Sequence, residues 1–94
     1  MVDLAELSDA LDQLEHETRR LERRHARLAE DKPYLYRDLG AAREAIAALI
    51  AELARLREAR PISMRGLAAC GARFDDLDAL LTRLESRGLP RRGD

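Results

Sequence analysis

Ninety-four residues, 46% of them hydrophobic and 37% charged, limit the chain to one small domain or an extended helical element with a short appendage. Three aromatic residues against 17 Leu and 16 Ala, with few β-branched side chains, argue against a β-sandwich or a doubly wound α/β domain and resemble the composition of long helices and coiled coils. Seventeen basic against 18 acidic residues leave a net charge of −1, which excludes a nucleic-acid binder of the strongly basic kind.

The total conceals a separation. Residues 1–17 carry six acids and no base, and an arginine cluster, Arg19 to Arg27, follows at once. Sixteen of the 17 basic residues are arginine and one is Lys32, a bias expected of a GC-rich genome. The single cysteine, Cys70, has no intramolecular disulfide partner and fits a reducing cytosol. The segment MVDLAELSDALDQ has neither the basic region nor the apolar region of a secretory signal. The longest uncharged stretches, residues 45–51 and 66–72, are far short of the roughly 20 residues a bilayer span needs. A soluble, cytoplasmic protein is the expectation.

In chain order, Leu4, Leu7, Leu11, Leu14, Thr18, Leu21, His25 and Leu28 follow alternating steps of three and four. Leucines occupy every d position and charges the outer positions, a strong signal for a helix with a narrow buried stripe. Leu35, Leu39, Ala42, Ile46, Leu49, Leu53 and Leu56 continue in the same seven-residue frame, after Lys32 at an a position and Pro33 beside it. One long helix over about 3–60 competes with a hairpin broken at 31–33. Proline inside a helix costs about 3 kcal/mol, whereas at a helix start it costs almost nothing. Asp31 is then available as N-cap for the second helix. The hairpin is preferred, because it also sets the acidic first segment beside Arg55, Arg57 and Arg60, and the arginine cluster nearer Glu44 and Glu52. No glycine marks the turn, and the preserved frame is left unexplained.

Beyond residue 60, Pro61 and Gly66 read as a helix stop and a turn. GLAACG reads as one or two helical turns. Phe74, Leu77, Leu80, Leu81 and Leu84 predict a short third helix near 75–87, with Asp75, Asp76 and Asp78 in its first turn, Gly88 as C-terminal cap, and a disordered tail. The domain organisation is thus 1–60 as hairpin and 61–94 as turn, short helix and tail.

Chemistry-bearing constellations are nearly absent. His16 and His25 lie on opposing faces, a spacing that suits no metal site. His16 reads as a surface residue, and His25 and Thr18 as polar core layers that set register. Cys70 reads as a small buried side chain. No catalytic residue, cofactor or metal is expected. Arg20, Arg23, Arg24 and Arg27 line one side of the first helix and are the candidates for a partner or phosphate contact, although Glu15, Glu17 and Glu22 weaken their field. The segment LLTRLESRGLPRR, Leu80 to Arg92, resembles the end of the recognition helix and the entry to the wing in winged-helix regulators of the MarR type. That resemblance implies a DNA-binding regulator with the long helices as dimeriser. It departs from the pattern at Asp75, Asp76 and Asp78, which would face the major groove, and at Gly66, where a core leucine is wanted.

The reading is an all-α fold: a long antiparallel, coiled-coil-like hairpin with a short third C-terminal helix. Its expected role is a non-enzymatic adaptor, accessory subunit or inhibitor acting through helix-to-helix contact. Small helical domains often need a partner to bury enough surface. A homodimer is therefore expected, assembled through Leu4, Leu7, Leu11, Leu14, Leu21, Leu28, Ile46, Leu49, Leu53 and Leu56. The exposed arginines or the Phe74–Leu84 face would remain for another protein, and no membrane contact is expected.

Overall fold

Pro33 breaks the chain where the sequence places the break. In the computed structural model, which describes residues 4–59 and 61–87, α1 (Leu4–Asp31) ends one residue before a short 3₁₀ turn, Pro33–Leu35. Helix α2 (Tyr36–Glu58) then folds back along α1. The hairpin is antiparallel, since Arg57 near the end of α2 pairs with Asp12 and Glu15 near the start of α1. Asp31 does not cap α2. It is the last residue of α1, and α2 starts behind Leu35 without a side-chain cap. Pro33 instead fixes the first residue of the 3₁₀ turn, where its missing N–H costs nothing.

The third helix differs from the expectation in extent. Helix α3 spans Met64–Ser86, 23 residues, as many as α2. Pro61 stops the second helix, but Gly66 is no turn: its N–H donates to the Ser63 side chain at 2.9 Å, an N-cap in the first turn of α3. Asp75, Asp76 and Asp78 accordingly lie mid-helix. Gly66 and Gly71 weaken local helix propensity. The stripe Leu67, Cys70, Phe74, Leu77, Leu81 and Leu84, all buried or half-buried, overrides them by packing. Gly66 is also needed for space, because a Cβ there would stand 2.7 Å from Leu56 Cδ2. The predicted cap Gly88, the tail and Arg60 lie outside the described residues.

The three helices run up, down and up, and each packs on the other two. Their a and d stripes converge on one core in which Leu11, Leu21, Leu49 and Leu81 are no more than 1% exposed. Ile62, in the connection between α2 and α3, is 8% exposed and closes one end. Burying a leucine is worth about 1.5–3 kcal/mol, against about 0–1 kcal/mol for an exposed ion pair. The stripe therefore holds α3 in place, and the charges choose its orientation and register.

Candidate interaction surface

The leucines read as a dimer seam are found inside the chain. Leu7, Leu11, Leu21, Leu28, Ile46, Leu49, Leu53 and Leu56 are buried, and Leu14 packs half-buried against them. The side chain of Leu4 lies outside the described residues. The physical reason is α3: it fills the groove that a two-helix hairpin leaves open. The Phe74–Leu84 stripe does the filling, so Leu77, Leu81 and Leu84 are likewise committed. Of the two polar layers, Thr18 is 1% exposed but donates to the Leu14 carbonyl at 2.7 Å within its own helix, and so ties α1 to nothing else. His25 does cross between helices, with Nε2 2.7 Å from the Leu39 carbonyl; the carbonyl accepts, so Nε2 carries the proton. Cys70 is buried on the α3 stripe, and burial pushes its thiol pKa up.

Of the arginine cluster, Arg24 meets acids of α3, and among the described residues no ion pair joins the cluster to Glu44 or Glu52. Arg24 donates from Nη2 to Glu85 Oε1 at 2.8 Å and to Thr82 Oγ1 at 3.2 Å, and from Nη1 to Asp78. The hydrogen bond to Glu85 raises the Arg24 pKa above its ordinary value, and the same bond lowers that of Glu85. Glu52 is taken by Arg55 one turn away. Arg20 rests on Glu17 and Arg19 on Glu22, while Arg23 and Arg27 are exposed. Of the four arginines, Arg24 is thus committed to α3, and Arg20, Arg23 and Arg27 stay on the exposed side of α1. The edge of α3 that carries Asp78 and Glu85 is occupied by Arg24, and residues 88–92 of the winged-helix resemblance lie outside the described residues.

Lys32, an apparent flaw in the heptad frame, has a defined place. Its Nζ donates to the carbonyls of Leu84 (3.1 Å), Glu85 and Arg87. These belong to the last turn and C-cap of α3, where few intrahelical donors remain for the carbonyls and the helix dipole is negative; Leu84 also accepts from the Arg87 N–H. A cation there caps α3 and holds the C-terminal ends of α1 and α3 side by side, in parallel. Arg87 reaches Asp38 at the start of α2 at 2.6 Å, so all three helices are tied together at this end. Among the described residues no buried side-chain nitrogen or oxygen lacks a partner.

With the core and these ties accounted for, α2 is left with an uncommitted side. Its inner stripe is buried, while Gly40, Ala41, Ala45, Ala47, Ala48, Ala51 and Ala54 are exposed. A cleft flanks this face on each side. Toward α1 the floor includes Ile46 and Ile50, with Arg19, Glu22 and Arg43 at the rim. Toward α3 it includes Ala48, Leu77 and Leu80, with Arg73, Asp76 and Arg83 around it. The composition signalled this face through the Ala-rich run AREAIAALIAELAR, but only the packing of α3 distinguishes the covered alanine, Ala42 at 0% exposure, from the open ones.

No protein-family model, curated protein or solved structure matches this chain. Among the described residues no group of three His, Cys, Asp or Glu is placed to hold a metal ion. No described helix is long and apolar enough to cross a membrane.

Proposed function

We propose that this chain is a non-enzymatic helical interaction protein, an adaptor, accessory subunit or inhibitor, that acts through helix-to-helix contact at the outer face of α2. One observation supports the reading above the others: that face is small and uncharged over its middle, from Ala45 to Ala54 apart from Glu52 at its edge, and has apolar clefts on both sides. Alanine loses almost no side-chain entropy when covered. It also lets a second helix approach to the 8–10 Å axial separation of packed helices. The charged rims then select the partner and its direction.

Affinity capture from the native cell tests this, with the wild-type chain and an Ala51→Arg variant used side by side. Ala51 is exposed, so the variant keeps its fold, as circular dichroism verifies. Proteins recovered by the wild type and absent with Ala51→Arg are the expected result. An identical set from both baits contradicts the proposal.

A further inference from the structure

The charges along the outer face of α2 name an occupant. Arg37, Gly40, Glu44, Ala47 or Ala48, Ala51, Arg55 and Glu58 recur at steps of three and four and are all exposed, so they share one face. Their charges read plus, minus, plus, minus. Reversing the order of that pattern inverts every sign. An identical helix laid antiparallel therefore meets opposite charges throughout, whereas a parallel copy meets its own.

We propose that the partner of this face is a second copy of the chain, in a two-fold symmetric antiparallel pair of α2 helices. The axis passes near Ala48 and Leu49. Glu44 then faces Arg55 of the second copy and Arg37 faces its Glu58, each twice by symmetry. The midpoints of the two pairings differ by about two residues, or roughly 3 Å along the helix, which side chains as long as Arg and Glu span. Ala47, Ala48 and Ala51 lie at the crossing, where small side chains permit close packing. Half-buried Ile50 and Leu80, one in each flanking cleft, are covered by the shoulders of the other copy. In the single chain Arg55 rests on Glu52, an exposed pair within one helix, worth only about 0.3–0.5 kcal/mol.

The other two outer faces do not combine these properties. On the outer face of α3 the exposed charges Arg65, Asp75, Asp76 and Arg83 read plus, minus, minus, plus, a pattern that reversal leaves unchanged, so like meets like. On α1 the acidic start and the arginine cluster do complement one another on reversal. That face carries charge along most of its length, and Asp12 on it is already paired with Arg57. Exposed ion pairs without apolar burial are worth little.

This inference rests on the interaction reading of α2 and can fail without it. Sedimentation equilibrium of the full chain across the micromolar range is expected to show a concentration-dependent monomer–dimer equilibrium. Glu44→Arg gives a copy positive at both positions and Arg55→Glu a copy negative at both. Each alone is expected to weaken self-association about ten-fold or more, since like charges then face each other across the pair. An equimolar mixture of the two is expected to recover the wild-type dimer as a mixed pair. A strictly monomeric wild type, unchanged dimerisation of either variant, or a mixture no stronger than its components overturns the proposal. The heterotypic arm guards against loss through misfolding, because a misfolded variant is not rescued by mixing. Monomeric wild type together with partners lost in the Ala51→Arg capture removes the second copy and leaves the interaction reading standing.

Discussion

Replacing Lys32 with Met keeps most of the aliphatic stem and removes the ammonium that three α3 carbonyls share. Two of these, Glu85 and Arg87, lose their bond to Nζ, while Leu84 still accepts from the Arg87 N–H at 3.2 Å. Hydrogen bonds to a charged group contribute about 1.5–3 kcal/mol where buried and less where water competes, and the favourable dipole contact adds about 0.3–1 kcal/mol. Lys32 is half-buried and two of its three bonds are exposed, so a loss of about 1–2 kcal/mol is expected. In a chain of this size that lowers Tm by about 5–10 °C, measurable by circular dichroism or calorimetry. Amide exchange should quicken most in the last turn of α3. Lys32→Arg, which retains a cation, should recover a large part of the difference. An unchanged Tm in Lys32→Met, or quickened exchange confined to α1, would refute the assignment of Lys32 as the α3 cap.

Two glycines of one helix are expected to respond with opposite signs. Gly71→Ala meets nothing within 4 Å and should stabilise by about 0.5–1 kcal/mol through helix propensity. Gly66→Ala places its Cβ against buried Leu56 and should destabilise by about 0.5–2 kcal/mol, as overpacking outweighs propensity. Chemical denaturation of both variants checks the pair, and two stabilised proteins would contradict the close packing of α3 on α2. Glu85 sets part of the acid response. Its folded pKa is lowered from 4.5 by the Arg24 hydrogen bond, so its contribution is present above that value and lost as pH falls through the folded one. Glu85→Gln should lower Tm at neutral pH and flatten the decline of Tm as pH falls below 4.5. Parallel curves for the two proteins would show that the Arg24–Glu85 contact adds nothing.

The hairpin was legible because its signals are local. A seven-residue apolar frame specifies two helices, and one proline beside a charged a position specifies the break. The extent of α3 was also written in the chain: Leu67, Cys70, Phe74, Leu77, Leu81 and Leu84 continue the same frame. It was obscured by Gly66 and Gly71, whose low propensity reads as a turn until packing is known. The partners of Arg24 and Lys32 lie more than 50 residues away, and no spacing rule places them. The role of the leucine stripe depended on the same missing fact. A two-helix seam left open asks for another chain, whereas a third helix of equal length to α2 closes it, and the surface proposed for a partner is instead the alanine face of α2.

That shift is tested most directly by the alanine methyl groups. A ¹³C-methyl spectrum of the Ala-labelled chain, recorded at rising protein concentration, carries probes on both candidate faces. Ala47, Ala48 and Ala51 mark the outer side of α2, and Ala68, Ala69 and Ala72 are exposed on α3. Progressive displacement of the α2 methyl resonances, with the α3 set unmoved, is the expected result. Displacement of the α3 set with α2 unmoved would contradict the placement of the helix-docking surface on α2, and a spectrum that concentration leaves unchanged would remove the second copy as its occupant.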